Sequence, residues 1–375
     1  MDPLSEAIRK NGADAFVMYA SSRDADMRYL TGFTTSDPFV YFKKPGQNGV
    51  IIISQMETGR ASRESPRAIM TRAEAGLPGL LKTEKDPLMA TAKMIAGQAG
   101  KHILVPPQFP VGLAQALGEV CTVAVDKGTV PSLRAKKTKS EIVLMKEVQK
   151  VTEAAMGKAV SLIRASKPRK GILTCNGNPL TAEQVKYTMH CHLLEHGCTA
   201  VDTIVSCGED TAIPHMTGTG PLMADEPIVI DLFPVNEKSG YYADMTRTVV
   251  KGKPSREIRE MYDALREARQ IGTARVKSGV PAPEVHQAVV DFFAERGYES
   301  DTRGFVHNLG HGVGLQVHEL PTVGPAGKKL MAGNVITIEP GLYYPGTGGV
   351  RLEDIGAVTA RGFDTFTQFS EELVL

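Results

Sequence analysis

Apolar residues near the start of this chain fall into short runs with two different periods. Leu4, Ala7 and Ile8 recur at helical spacing and stop at Gly12, and Ala15 to Tyr19 follows as a strand-like run. Val50 to Ser54 and Ile103 to Val105 are two more such runs, the second closed by Pro106 and Pro107. Between them, Met89 to Ala99 predicts a helix that ends at Gly100. This alternation predicts an α/β unit over residues 1–135, a sheet covered by helices. No cluster of catalytic residue types stands out within it.

A polar, basic stretch from Ala135 to Ser140 precedes a strong helical signal, which places a second unit at residues 136–375. Ser140 is the expected N-cap, and Ile142, Met145, Val148, Val151, Ala155 and Ala159 recur three to four apart through Val160. Ser166 to Pro179, with two prolines and two glycines, reads as a loop or insertion. A helix from Thr181 to about His196 closes at Gly197. Ile228 to Phe233, Thr246 to Val250 and Val335 to Glu339 then read as strands. Two long helices, about 255–276 and 283–297, separate these strand groups. The second unit is therefore α+β.

Composition changes this picture little. A chain of 375 residues suggests about two domains, and 42% apolar with 23% charged residues is ordinary for a globular protein. A net charge of +1 argues against nucleic acid or an anionic membrane as partner. No apolar run approaches the ~20 residues that span a bilayer. The opening residues lack the apolar core of a signal peptide. Five cysteines without a CxxC pair fit reduced thiols, and with them a cytoplasmic location.

Acids within apolar strands do change the picture. An ionised carboxylate buried without a partner costs several kcal/mol or more. Asp231 and Glu339 each close an apolar strand, while Asp244 and Glu353 lie beside strand-like sequence. Cations would satisfy all four. His311 sits among glycines in HNLGHGVGLQVHE, flanked by His307 and His318, and can serve as a ligand. One imidazole among oxygen donors suits Mn, Co, Fe or Zn. His215 in IPHM is a weaker candidate on local grounds.

The segments GYYADMTRT, NLGHGVGLQVHELP, ITIEPGLYY and VRLEDIGAVT resemble the metal-dependent pita-bread peptidases, which include Xaa-Pro dipeptidase (prolidase), aminopeptidase P and methionine aminopeptidase. MRYLTGF, at Met27 to Phe33, is similar to part of the N-terminal domain of prolidases and creatinase, which methionine aminopeptidases generally lack. The resemblance implies a C-terminal pita-bread (creatinase/aminopeptidase-like) domain behind an N-terminal α/β creatinase-like domain. It implies two divalent metal ions, Mn or Co first and Fe or Zn next, held by Asp231, Asp244, His311, Glu339 and Glu353. Asp231 would chelate one, Asp244 and Glu353 would bridge, and His311 and Glu339 would hold the second. A metal-bridged hydroxide would be the nucleophile. Glu339 would shuttle the proton, His215 and His318 would steady the carbonyl oxygen, and His307 would line the pocket. Arg351 would orient a carboxylate, and Tyr343 would line the site. The implied activity is hydrolysis of Xaa-Pro bonds at the N-terminus of short peptides, by a homodimer.

Two departures bear on specificity. Asp231 and Asp244 are 13 positions apart where the family more often has eleven, and the extra residues fall in a hairpin loop at Pro234 to Gly240. Four positions after His318, where many prolidases carry arginine, stands Thr322, which bears on strict dipeptidase activity. Glu339 and Glu353 keep a prolidase-like spacing of 14. His190, His192, His196 and Cys198 in HCHLLEHGC admit a second metal site, but the simpler reading is a partly buried helix end with incidental polar residues. The rival functions are a metal-free creatinase-like hydrolase and a non-catalytic binding module on the same scaffold.

Overall fold

In the computed structural model, which describes residues 2–375, the early apolar runs join one six-stranded mixed sheet. Ala15–Ala20 lies inside it, antiparallel to Phe39–Lys43 and parallel to His102–Val105. Val50–Ile53 extends one side, and Ala68–Thr71 and Thr122–Val125 are the parallel edges. Val17, Val40 and Ile52 join the core on one face, and Phe16, Met18, Tyr41 and Ile51 join the core on the other. Burial on both faces explains why Ala15–Ala20, Val50–Ile53 and His102–Val105 read as continuous apolar runs; Phe39–Lys43, equally buried, is a fourth central strand not among those expected from sequence. The two edge strands gave no such signal because all their residues but Thr71 are only partly buried or exposed. This sheet and its helices form a compact unit ending at Arg134, and a second runs from Ala135 to Leu375.

The second unit opens with the helix Lys139–Ala165, five residues longer than the apolar repeat predicts. Its N-cap is Thr138, not Ser140. The Thr138 side chain bonds the Glu141 N–H, and the Glu141 carboxylate returns the bond to the Thr138 N–H at 2.7 Å. The stretch read as a loop at 166–179 is instead a small three-stranded antiparallel sheet, Lys167–Arg169, Ile172–Cys175 and Asn178–Pro179. Its outer strands are exposed and only Leu173 is fully buried, so no alternation announced it.

Two larger sheets and two two-stranded ones carry the rest, and one of the small ones pairs Gly341–Tyr344 with Gly348–Arg351. Ile204–Cys207, Pro227–Leu232 and Met245–Val250 form an antiparallel three-stranded sheet in that order. Its Ile228, Ile230, Leu232, Met245 and Val249 pack with helices Lys139–Ala165 and Ala182–Glu195. A five-stranded antiparallel sheet contains Gly310–Gly312, Val335–Ile338 and Asp354–Val358. Its Ile336 and Ile338 pack with helices Arg256–Arg275 and Ala282–Glu295. A bridge between Thr246 and Glu353 joins the two sheets. Side chains alternate along a strand, so burying Ile230 and Leu232 on the helix side sends Asp231 to the opposite face. By the same parity, burying Ile336 and Ile338 against helices sends Thr337 and Glu339 the other way.

Candidate metal centre

Strand register brings the acids together. Asp231 lies opposite Thr246, one residue past Met245, which Asp244 precedes. Glu353 bridges to that same Thr246. Ile338 pairs with Asp354, so Glu339 and Glu353 follow one another off adjacent strands. His311 lies in Gly310–Gly312, on the far side of Val335–Ile338 from Glu353. Its Nε2 is 3.3 Å from Glu339 Oε1, 3.7 Å from Asp244 Oδ2 and 4.0 Å from Glu353 Oε1. Ligand atoms of Asp244, His311 and Glu353 all lie within 4.8 Å of one another.

The electrostatics of this cluster are those of a cation site. Burial, then repulsion from Glu353, Asp231 and Glu339, pushes the Asp244 pKa well above the carboxylate range. Glu339 is raised in the same way, by burial first and then by Glu353. Glu353 is pushed up to about 7 by burial and by Asp231. His311 is pulled down to about 3 by burial, then by the neighbouring His318. The imidazole is therefore neutral, and its close approaches to three carboxylates are not ion pairs. Asp231 Oδ1 is buried with no hydrogen-bond partner. Four converging acids, a neutral imidazole and an orphaned carboxylate oxygen fit divalent cations, which would remove the mutual repulsion and occupy that oxygen.

The surrounding groups hold these donors in place. Arg351 Nη2 donates to Asp231 Oδ2 at 2.7 Å, and its Nη1 donates to Tyr343 Oη at 3.0 Å and to the Pro214 carbonyl at 3.1 Å. Tyr343 Oη lies 3.0 Å from His307 Nε2. The other His307 nitrogen, Nδ1, faces the Asn308 carbonyl at 2.8 Å and must carry the proton, so Tyr343 donates to Nε2. Burial pulls His307 down to about 4, which keeps that acceptor neutral. Asp231, Arg351, Tyr343 and His307 thus form one hydrogen-bonded chain. His318 is exposed and stands edge-on to His311, with ring centroids 4.2 Å apart. His215, also exposed, follows the Pro214 carbonyl that Arg351 holds, and lies near enough to act electrostatically on both His307 and His318. All of the candidate residues therefore lie around one site.

Several supporting residues escaped the sequence reading. Thr246 Oγ1 donates to Glu353 Oε2 at 2.8 Å, and Thr337 Oγ1 accepts from the His311 N–H at 3.2 Å. Both threonines are fully buried, but only Thr337 stands in an otherwise apolar strand, the one signal that could have found it. Arg247 Nη1 donates to the carbonyls of Thr246 and Glu353, each at 2.8 Å. His286 accepts the Leu309 N–H on its Nδ1 at 3.2 Å, two residues before His311. Lys137 and Glu319 form a buried pair at 2.5 Å beside His318. The glycines here are required by contact. A Cβ on Gly314 would come within 2.4 Å of Glu319 Oε1, and one on Gly312 within 2.2 Å of the Leu320 carbonyl oxygen.

Comparison with known proteins points the same way. The profile of metallopeptidase family M24 matches residues 143–360, and that of the creatinase/prolidase N-terminal domain matches residues 1–156. An Xaa-Pro dipeptidase from Lactobacillus delbrueckii subsp. lactis is 32% identical over 251 residues, 65% of this chain and 63% of its own length. That match therefore spans somewhat less than two thirds of the relative. An Xaa-Pro dipeptidase from Pyrococcus horikoshii is 27% identical over 388 residues, with both chains covered completely. Among solved structures, an Xaa-Pro dipeptidase from Bacillus anthracis superposes with a TM-score of 0.85 at 26% identity, over 100% of this chain and 98% of the other. The prolidase from Pyrococcus horikoshii OT3 gives 0.83 at 25%, over 99% and 98%. The chain belongs to metallopeptidase family M24, its pita-bread unit preceded by a creatinase/prolidase-type N-terminal domain.

Proposed function

We propose that this chain is an exopeptidase that hydrolyses Xaa-Pro bonds at the N-terminus of short peptides with two divalent cations, Mn²⁺ or Co²⁺ before Fe²⁺ or Zn²⁺. The observation that carries the proposal is the convergence of Asp231, Asp244, His311, Glu339 and Glu353, with His311 Nε2 within 4.0 Å of three carboxylates. Full-length similarity to Xaa-Pro dipeptidases supports the substrate class. Asp231 would hold one cation and His311 and Glu339 the other, with Asp244 and Glu353 shared. Once bound, the cations supply the Lewis acidity that acidifies water and polarises a carbonyl.

The chain's own residues would do the rest. Glu339, raised in pKa and buried, can take a proton at its carboxylate and pass it to the leaving amine. His318 and His215, exposed beside the buried cluster, can donate to the carbonyl oxygen as negative charge builds on it. Arg351 and Tyr343 fix Asp231, while His307 is positioned to line the substrate side. Proline's tertiary amide resists general peptidases, so a dedicated pocket has a purpose. We further take the working form to be a cytoplasmic homodimer, as the resemblance implies. No described helix is long and apolar enough to cross a membrane.

A panel assayed with Mn²⁺ or Co²⁺ tests the reading: Xaa-Pro dipeptides, Xaa-Pro-Yaa tripeptides and Met-peptides. Cleavage of either proline series supports it, and cleavage of neither refutes the specificity. Dipeptide-only cleavage would show a prolidase that works with Thr322 in place of the frequent arginine. A purified chain that takes up no divalent cation would favour the metal-free hydrolase or the binding module.

A further inference from the structure

We propose a second cation site outside the buried centre, at the C-terminal end of helix Ala182–Glu195, built from His192, Glu195 and His196 and suited to Zn²⁺, Ni²⁺ or Cu²⁺. In HCHLLEHGC the helical period places residues 192, 195 and 196 on one face. The structure sorts the other candidates away. His190 Nε2 is already bonded to Thr203 Oγ1 at 2.8 Å, and the buried Cys198 thiol lies 3.7 Å from the His196 carbonyl and from Asn236 Nδ2. The three that remain each offer a ligand atom within 4.8 Å of the other two.

Both ring nitrogens of His192 are buried and have no hydrogen-bond partner. Its side chain is only 11% exposed, and Nδ1 is 3.8 Å from Glu195 Oε2, too far for a hydrogen bond. Buried polar atoms without partners are uncommon, and a cation on either nitrogen would supply one. The His196 ring lies 4.3 Å from the His192 ring. Its Nδ1 faces the His192 carbonyl at 2.9 Å, and since a carbonyl only accepts, Nδ1 carries the proton and Nε2 keeps its lone pair. Metal-ligating histidines characteristically donate their other N–H to such a carbonyl, which fixes the tautomer.

The helix C-terminus and the Glu195 carboxylate attract a cation, and Lys158 opposes it. Two imidazoles with one carboxylate favour Zn²⁺, Ni²⁺ or Cu²⁺ over the hard cations Mg²⁺ and Ca²⁺. Glu195 and His196 are exposed, so the remaining coordination positions open to water.

Zinc content after equilibration with Zn²⁺ and dialysis tests the site. It is measured on the Asp244→Ala chain, in which the buried centre is impaired, and on the same chain carrying His192→Gln and His196→Gln. The first is expected to retain one zinc per chain more than the second. Equal zinc contents would overturn the proposal. His196 is exposed, so His196→Gln alone should fold normally. In the otherwise intact chain it should lose one zinc and leave Xaa-Pro turnover unchanged. An unchanged zinc content in that variant would overturn the site, whatever the outcome of the peptide panel.

Discussion

An ion pair in the N-terminal unit and the acid cluster of the C-terminal unit treat buried charge in opposite ways. In the N-terminal unit, Asp26 and Arg134 are 2% and 5% exposed and form an ion pair at 2.6 Å, with Gln108 adding a bond at 3.1 Å. Burial lifts the Asp26 pKa, with the Arg134 bond and charge pulling against it. Charge is thus neutralised within the chain. In the C-terminal unit, Asp231 has Arg351, but Asp244, Glu339 and Glu353 converge with only a neutral imidazole among them. A buried acid opposite a base is part of a scaffold. Buried acids that face one another are a deficit which something from solution must correct, and that deficit is what marks the site.

The sharpest way to break this contrast is to remove one of the converging acids. Asp244→Ala should abolish both tight metal uptake and turnover, read by metal analysis and peptide assay. Retained activity would refute the shared-ligand role. In chelator-stripped protein, Asp244→Asn should raise the melting temperature, because one of the mutually repelling acids is gone. A lower melting temperature would mean the acids are not in conflict. The next effect has the opposite sign. Asp26→Asn removes the carboxylate opposite a buried guanidinium and should cost about 3–5 kcal/mol in denaturant unfolding. Metal content should not change, and a neutral outcome would remove the distinction between the two units.

A smaller effect separates holding the metal from assisting the reaction. His318→Ala should lower kcat by about 10²–10³-fold if it donates to the developing oxyanion. Metal content should stay at the wild-type level, since its exposed ring stands beside His311 and outside the ligand set. A fall in bound metal equal to the fall in kcat would make it a ligand instead. The smallest effect concerns pH. Burial lowers the His286 pKa, and its Nδ1 must be unprotonated to accept the Leu309 N–H. A histidine depressed in the folded state contributes stability above its unfolded pKa, ~6.5. That contribution is lost as pH falls below this value and through the folded pKa. His286→Gln should therefore flatten the decline in melting temperature between about pH 7 and pH 5. An unchanged slope would show that the bond does not depend on a neutral ring.

The outline of the site was legible because its signals are local. Asp231 and Glu339 stand out as acids in strands that otherwise read as core, and the HNLGHGVG run announces close backbone approach around His311. Which face these acids take was not legible: the folded strands bury Ile230 and Ile338 against helices and so turn Asp231 and Glu339 the other way. Thr246 and Arg247 were not legible, and Thr337 showed only as a polar residue in an apolar strand. A buried threonine or arginine is functional only through what lies across from it, and that partner comes from another strand. Arg247 meets Asp354, 107 positions along the chain, at 2.9 Å. The edge strands and the small sheet at 167–179 were missed for a related reason, since backbone pairing holds them with little apolar burial.

The sequence by itself determined the donor types, their place in apolar strands and the glycine spacing around His311. Register and packing alone decided that Thr246 faces Glu353, that Arg351 closes on Asp231, and that Lys137 braces the residue beside His318. They also decided that His192 has no partner for either ring nitrogen. A periodic pattern says which face of an element is buried, because burial follows the local geometry of helix and strand. It carries no information about which remote segment covers that face. That depends on loop closures and sheet registers summed over the whole chain, and only the folded structure contains them.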